Sequence, residues 1–181
     1  FFPFVRETAV HGGSLLAAWK YTDCRCLYYR QDLVDAYADG DPPRTWDELV
    51  TVASDIAENE GIDGFQFRRG TATTIPFFWG QGGRLLDDDG EVVLSEPGNR
   101  RAMERTLSFL RRLVETGASP EATVDITEYE TLARHAREGE VAMFVGGSWQ
   151  IEKDLKNRIS GDRWRRWNVA EIPMRKADQH A

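Results

Sequence analysis

The residues that could do chemistry lie together in one short stretch, VAMFVGGSWQ, residues 141–150. An apolar run ends in two glycines, a serine and a tryptophan, and a helix-like segment follows. Three chemistries fit a strand–glycine–helix turn. A nucleophilic serine needs the pattern G-x-S-x-G, but Gln150 stands where the last glycine belongs. Its base would have to be His180 in the polar tail, and a triad needs a held histidine. A phosphate-cradling loop of the nucleotide-hydrolysing kind needs a lysine after its glycines, and none follows here. The bare turn can still aim backbone amides at an anion. The third chemistry is a binding platform. Gly146 and Gly147 let a ligand approach the backbone, Ser148 caps the next helix, and Trp149 offers an indole face with a polar N–H. A sugar suits such a face, and so does an ordinary hydrophobic core.

The other candidates are weaker. Cys24 and Cys26 flank Arg25 and would share one face of a strand, as soft side chains or as a strained disulfide. Two cysteines with three scattered histidines make no zinc set. The acidic run Asp87–Asp89 lacks the spacing and closing glutamate of a calcium loop. DRWRRW, residues 162–167, mixes arginine with tryptophan, but the net charge of −7 argues against a nucleic-acid partner. The same charge disfavours an anionic membrane surface. Apolar residues make up 41% of 181, enough for a core.

Elements that must position these residues can be read from local signals. CRCLYYR is a strand; QDLVDAYADG is a short helix ending at Gly40, stopped by Asp41–Pro43. Thr45 and Glu48 have capping-box spacing. The helix they open places Trp46, Leu49, Ala53 and Ile56 on one face and ends at Gly61. GFQF is a strand. In TTIPFFWGQGG, Pro76 could start a helical turn at Phe77. RLLDDDGEVVL is a hairpin turning at Asp89–Gly90. A long helix follows, capped by Ser95, with Pro97 in its first turn and Met103, Leu107, Leu110 and Val114 as its apolar stripe. Thr127 and Glu130 propose a second capping box, and Gly139 closes that helix. EVAMFVGG is a strand, SWQIEKDLKNRI a helix and WNVAEIP a last strand. Strands alternating with helices predict an α/β layered fold.

Taken in order, YTDCRCLYYRQDL, DPPRTWDELVTVASDI, GQGGRLLDDDGEVVLSEP, GEVAMFVGGSWQ and WNVAEIP resemble the extracellular solute-binding proteins of ABC importers. The branch they are most similar to binds sugars such as maltose or trehalose. The resemblance implies an α/β clam-shell of two lobes around a ligand, delivery to membrane permease subunits, no catalysis and no cofactor. It implies a location outside the cytoplasm, periplasmic or at the cell surface, and a monomer at full length. It also implies an incomplete chain, with residues 1–30 ending the N-terminal lobe and crossing the hinge, and 31–181 forming most of the C-terminal lobe. Tyr21 and Asp23 match positions that reach the sugar from the hinge, although Asp23 could equally cap a turn. Gly147, Ser148 and Trp149 match the platform turn. Trp79 could be a second wall or part of the core, and Trp46 matches a structural signature.

Departures concern the ligand. Ala136 stands where the family often has phenylalanine, and TTIPFFW lacks a glutamate common in the carbohydrate branch. Arg68 and Arg69 stand just upstream instead, as solvated surface or as a preference for an anionic ligand such as a sugar acid or glycerol phosphate. An enzyme acting on carbohydrate through an Asp/Glu pair is the alternative from another class.

Overall fold

A computed structural model describes residues 3–18 and 23–176. At the start lie a short helix α1 (Pro3–Ala9) and a two-stranded ribbon, β1 (Val10–His11) and β2 (Ser14–Leu15). The remainder is built on a four-stranded mixed sheet. In chain order its parts are β3 (Arg25–Arg30), α2 (Gln31–Tyr37), α3 (Trp46–Glu60), β4 (Asp63–Gln66), α4 (Thr71–Trp79), α5 (Pro97–Glu115), α6 (Tyr129–Glu138), β5 (Val141–Gly147) and β6 (Trp167–Ala170). The sheet order is β4-β5-β3-β6, with β4 parallel to β5 and the other two pairings antiparallel. The expected α/β layering is therefore present.

Burial on both faces explains why β5 is apolar at every position from Val141 to Val145: all seven of its residues are buried. One face packs Leu27, Tyr29, Met143 and Val145 against α2, α3 and α5. The other packs Tyr28 and Phe144 against Leu132 and Ala136 of α6 and against Leu155 and Trp167. Tyr28 and Phe144 stack at 4.9 Å, almost parallel. At Gly64 an added Cβ would lie 1.8 Å from the Ala53 carbonyl oxygen, so α3 rests directly on the β4 backbone.

Several local signals hold. Thr45 and Glu48 form the full capping box, and Gly61 and Gly139 end their helices in the left-handed region. Trp46 is core: it stacks on Phe109 at 4.3 Å, and its indole N–H donates to the Pro173 carbonyl at 3.0 Å. Asp87 to Gly90 turns as expected, closed by the Gly90 amide on the Asp87 carbonyl, but the flanking segments pair only at Leu86 and Val92.

Other expectations are corrected. TTIPFFW is helical from Thr71, so Pro76 lies inside α4 and does not begin it. The stripe of α5 is rotated by one position: Ala102, Thr106, Phe109 and Leu113 are buried, and Leu110 is buried as expected, while Leu107 is 53% exposed. Phe109 joins Trp46 and Phe77 in an aromatic cluster, and that cluster decides which face turns inward. Neither Ser95 nor Thr127 caps, since Glu96 and Glu128 occupy the cap positions without side-chain bonds. Glu130 instead pairs with Arg137 at 2.7 Å. SWQIEKDLKNRI forms a π-helix over Ile151–Lys156, and DRWRR lies in a 3-10 helix, Gly161–Arg166, that leads into β6. Both cysteines are free, and Cys24 precedes the strand. Among the described residues no helix is long and apolar enough to cross a membrane.

Candidate functional site

The turn after β5 is held by bonds that reach far along the sequence. In the β3–β5 ladder, Arg25 stands opposite Gly147 and Cys26 opposite Gly146. The Ser148 amide donates to the Cys24 carbonyl at 3.0 Å. The Tyr28 hydroxyl donates to the Gly147 carbonyl at 2.8 Å and accepts from the Ile151 amide at 3.2 Å. Burial, and next the neighbouring Cys26, push the Tyr28 hydroxyl well above the usual tyrosine range, so it stays a donor. A side-chain bond also closes the turn: Gln150 Oε1 accepts from the Gly147 amide at 2.9 Å. Ser148 itself is exposed and makes no cap to the π-helix.

This frame lays Trp149 back over the glycine. A Cβ on Gly147 would sit 2.0 Å from the Trp149 ring, far inside van der Waals contact. The glycine is thus required by the indole that covers it. Trp149 is half-buried, neither core nor free surface. The Arg25 guanidinium carbon lies 4.8 Å from its ring centroid, within cation–π range. Asp23 stands 3.8 Å from the same guanidinium and so bears on the platform through Arg25.

Beside the indole is a cavity of about 160 Å³, lined among others by Arg25, Arg68, Thr73, Tyr129, Trp149 and Gln150. Thr73 comes from the first turn of α4 and Tyr129 from the first turn of α6. Among the described residues no aspartate or glutamate lines the cavity. Behind Gln150, the Asp154 carboxyl is buried, and one of its oxygens has no partner among the described residues. Burial first, then Glu130, raises it above the usual carboxylate range, while a bond from Gln150 works the other way. Two larger recesses lie elsewhere. One, of about 620 Å³, runs along α3 and α5 past Trp46 and Arg112; the other, of about 580 Å³, follows the Asp41–Pro43 turn. Both are open grooves among charged side chains, and Arg112 is already paired with Asp47. The smaller cavity is the candidate site because an aromatic face and polar groups converge there.

The structure therefore gathers Gly147, Trp149 and, through Arg25, Asp23. Trp79 ends α4 at 53% exposure and does not line the cavity; it is surface, not core. Tyr21 lies outside the described residues. Arg25, Tyr129 and Gln150 were not singled out from the sequence. Arg25 is marked only by standing between two cysteines, and Tyr129 only by its place at a helix start.

Known proteins bear on what this arrangement is. The family model for bacterial extracellular solute-binding proteins matches residues 3–163. The chain belongs to that family, which consists of binding proteins and not enzymes, and acts outside the cytoplasm. A curated relative from Deinococcus radiodurans, described as a probable ABC transporter-binding protein, is 29% identical over 140 residues, 71% of this chain and 32% of its own. The solved structure of maltose-bound MalE3 of T. maritima aligns at TM-score 0.83 and 27% identity, over 97% of this chain and 45% of that one. The GacH receptor of Streptomyces glaucescens, solved unliganded and with acarbose, aligns at TM-score 0.76 and 25% identity, over 96% and 43%. The sugar-binding protein MalE of Xanthomonas citri, at TM-score 0.70 and 23% identity, covers 97% and 44% and shows the fold alone. The chain thus spans about a third of the curated relative and less than half of these solved structures.

Proposed function

We propose that these residues form much of one lobe of a sugar-binding protein that closes on a mono- or oligosaccharide and presents it to the permease of an ABC importer. The observation that carries this reading is Trp149 folded over Gly147 at the edge of a polar-lined cavity. The indole stacks on the C–H face of a pyranose, and Gln150, Thr73 and Tyr129 supply hydroxyl partners. The likeness to a maltose-bound protein at 27% identity supports the ligand class. At about 160 Å³ the cavity is well below the roughly 300–1,000 Å³ of a complete small-molecule site, as expected of one wall of a cleft.

In this reading residues up to 30 end the N-terminal lobe and cross the hinge, and the residues from 31 onward belong to the C-terminal lobe. Binding shifts a hinge equilibrium towards a closed form that the permease recognises. Glycoside hydrolysis is disfavoured by membership of a family of binding proteins, and no carboxylate of the described residues lines this wall of the cleft. The test is tryptophan fluorescence of the full-length protein titrated with mono- and disaccharides. A saturable shift that Trp149→Ala abolishes supports the reading. A shift that survives that substitution, or no shift in a folded protein, refutes it.

A further inference from the structure

We infer that the ligand carries an anionic oxygen cluster, a carboxylate or a phosphate on a sugar, and that the Arg25–Arg68 side of the cavity binds it; this inference rests on the sugar-binding reading above. Among the described residues two guanidiniums line the cavity and no carboxylate does, so this wall carries two formal positive charges. Arg25 is partly offset by Asp23 at 3.8 Å. Arg68 is half-buried and in no ion pair among the described residues. A planar guanidinium in that state matches a carboxylate or phosphate bidentately.

Two further features act in the same sense. Ala72 and Thr73 of the first turn of α4 face the cavity, and that turn contains no acidic residue. Its amides and dipole favour an anion there. Tyr129 lines the cavity from α6, and its hydroxyl accepts a bond from the Lys153 ammonium at 2.7 Å. The tyrosine's own proton is thereby left to donate to a bound oxygen, with a third cation directly behind it. Glu130, in the same helical turn, is occupied by Arg137. A neutral sugar would offer the Arg68 guanidinium only hydroxyl oxygens and leave its charge uncompensated when the cleft closes and water is expelled.

Calorimetric titration of the full-length protein tests the inference, using glucose and maltose as neutral probes and glucuronate, glucose 6-phosphate, glycerol 3-phosphate and inorganic phosphate as anionic ones. The expected result is that glucuronate or glucose 6-phosphate binds at least tenfold tighter than glucose and maltose. Arg68→Gln should remove about ten- to a hundredfold of that affinity, the loss of one charge-assisted contact, and so narrow the preference for charged over neutral sugars. Which of the two charged sugars binds separates carboxylate from phosphate. Maltose or glucose binding as tightly as any anionic probe, or a charged preference that survives Arg68→Gln, overturns the anion site and leaves the sugar reading standing. Tight binding of inorganic phosphate or glycerol 3-phosphate, unaffected by Trp149→Ala and lost in Arg68→Gln, retains the anion site and refutes the sugar reading. No binding of any probe to a folded protein refutes both.

Discussion

Replacing Gly147 by alanine should separate the binding platform from the fold that carries it. The new methyl would lie 2.0–2.5 Å from three atoms of the Trp149 ring, where about 3.5–4 Å is needed. The backbone at Gly147 is not in the left-handed region, so alanine adds no backbone strain there. The ring is a side chain and can swing aside. Its stacking against Arg25 is lost, a cost of about 0.5–1 kcal/mol at a partly exposed site. Stability should therefore fall by only about 1 kcal/mol. Affinity should fall much further: removing an aromatic anchor costs about 2 kcal/mol or more, roughly a thirtyfold rise in Kd. Gly146→Ala provides the contrast. Its methyl would meet Gln150 Oε1 at 2.4 Å and the Tyr28 and Phe144 rings at 2.8 and 2.9 Å, all packed inside. That variant should lose several kcal/mol of stability, by analogy with overpacked cores. Urea unfolding and ligand titration of both variants give the comparison. If Gly147→Ala binds as tightly as the parent, the reasoning about the platform is wrong.

Tyr28→Phe should cost about 1–3 kcal/mol, since the Gly147 carbonyl and Ile151 amide both lose their shared partner; a thermal scan should show a fall of roughly 3–10 °C. Because the folded protein holds the Tyr28 proton more tightly than the unfolded chain, that stabilisation is present below about pH 10 and lost above it. The alkaline limb of the stability curve should flatten in the variant. Gly64→Ala should cost about 4 kcal/mol or more, read as loss of soluble folded protein, because the methyl meets backbone and not a movable side chain. Asp154→Asn should raise stability at neutral pH, since folding raises the carboxyl's proton affinity and so disfavours its charged form. The advantage should shrink as the pH falls through the raised value of the folded carboxyl and be gone below about 4, where it is protonated in both states.

What the sequence showed depended on how locally each feature is determined. The Thr45–Glu48 box and the glycines at 61 and 139 are decided within one helical turn, and the structure repeats them. The face of α5 is not. Met103-Leu107-Leu110-Val114 and Ala102-Thr106-Phe109-Leu113 are stripes offset by one residue, and only the Trp46–Phe77 cluster chooses between them. Pro76 was read as a helix start, yet α4 begins five residues earlier, where Gly70 in the left-handed half of backbone space gives no obvious signal. At the site, the glycine pair and Trp149 were legible as a strand-to-helix turn. Arg25, Arg68, Thr73 and Tyr129 converge from four separate segments, and their meeting is a product of the sheet order. Arg68 was noticed for its charge, but its place facing the indole cavity could not be read from a linear pattern.

The sheet order also dictates a timetable. Strand β3 is complete at residue 30, but its inner partner β5 ends only at residue 147, a gap of 117 residues. At about 5–20 residues per second of synthesis the wait is roughly 6–23 s. Until β5 emerges, Leu27, Tyr28 and Tyr29 have no ladder to join, and the locally capped α3 has no sheet to rest on. Such distant pairing places the chain among slow folders. A nascent chain stopped before Val141 lacks the strand that joins β4 to β3, so the molecule should pass from unfolded to folded late and nearly all at once.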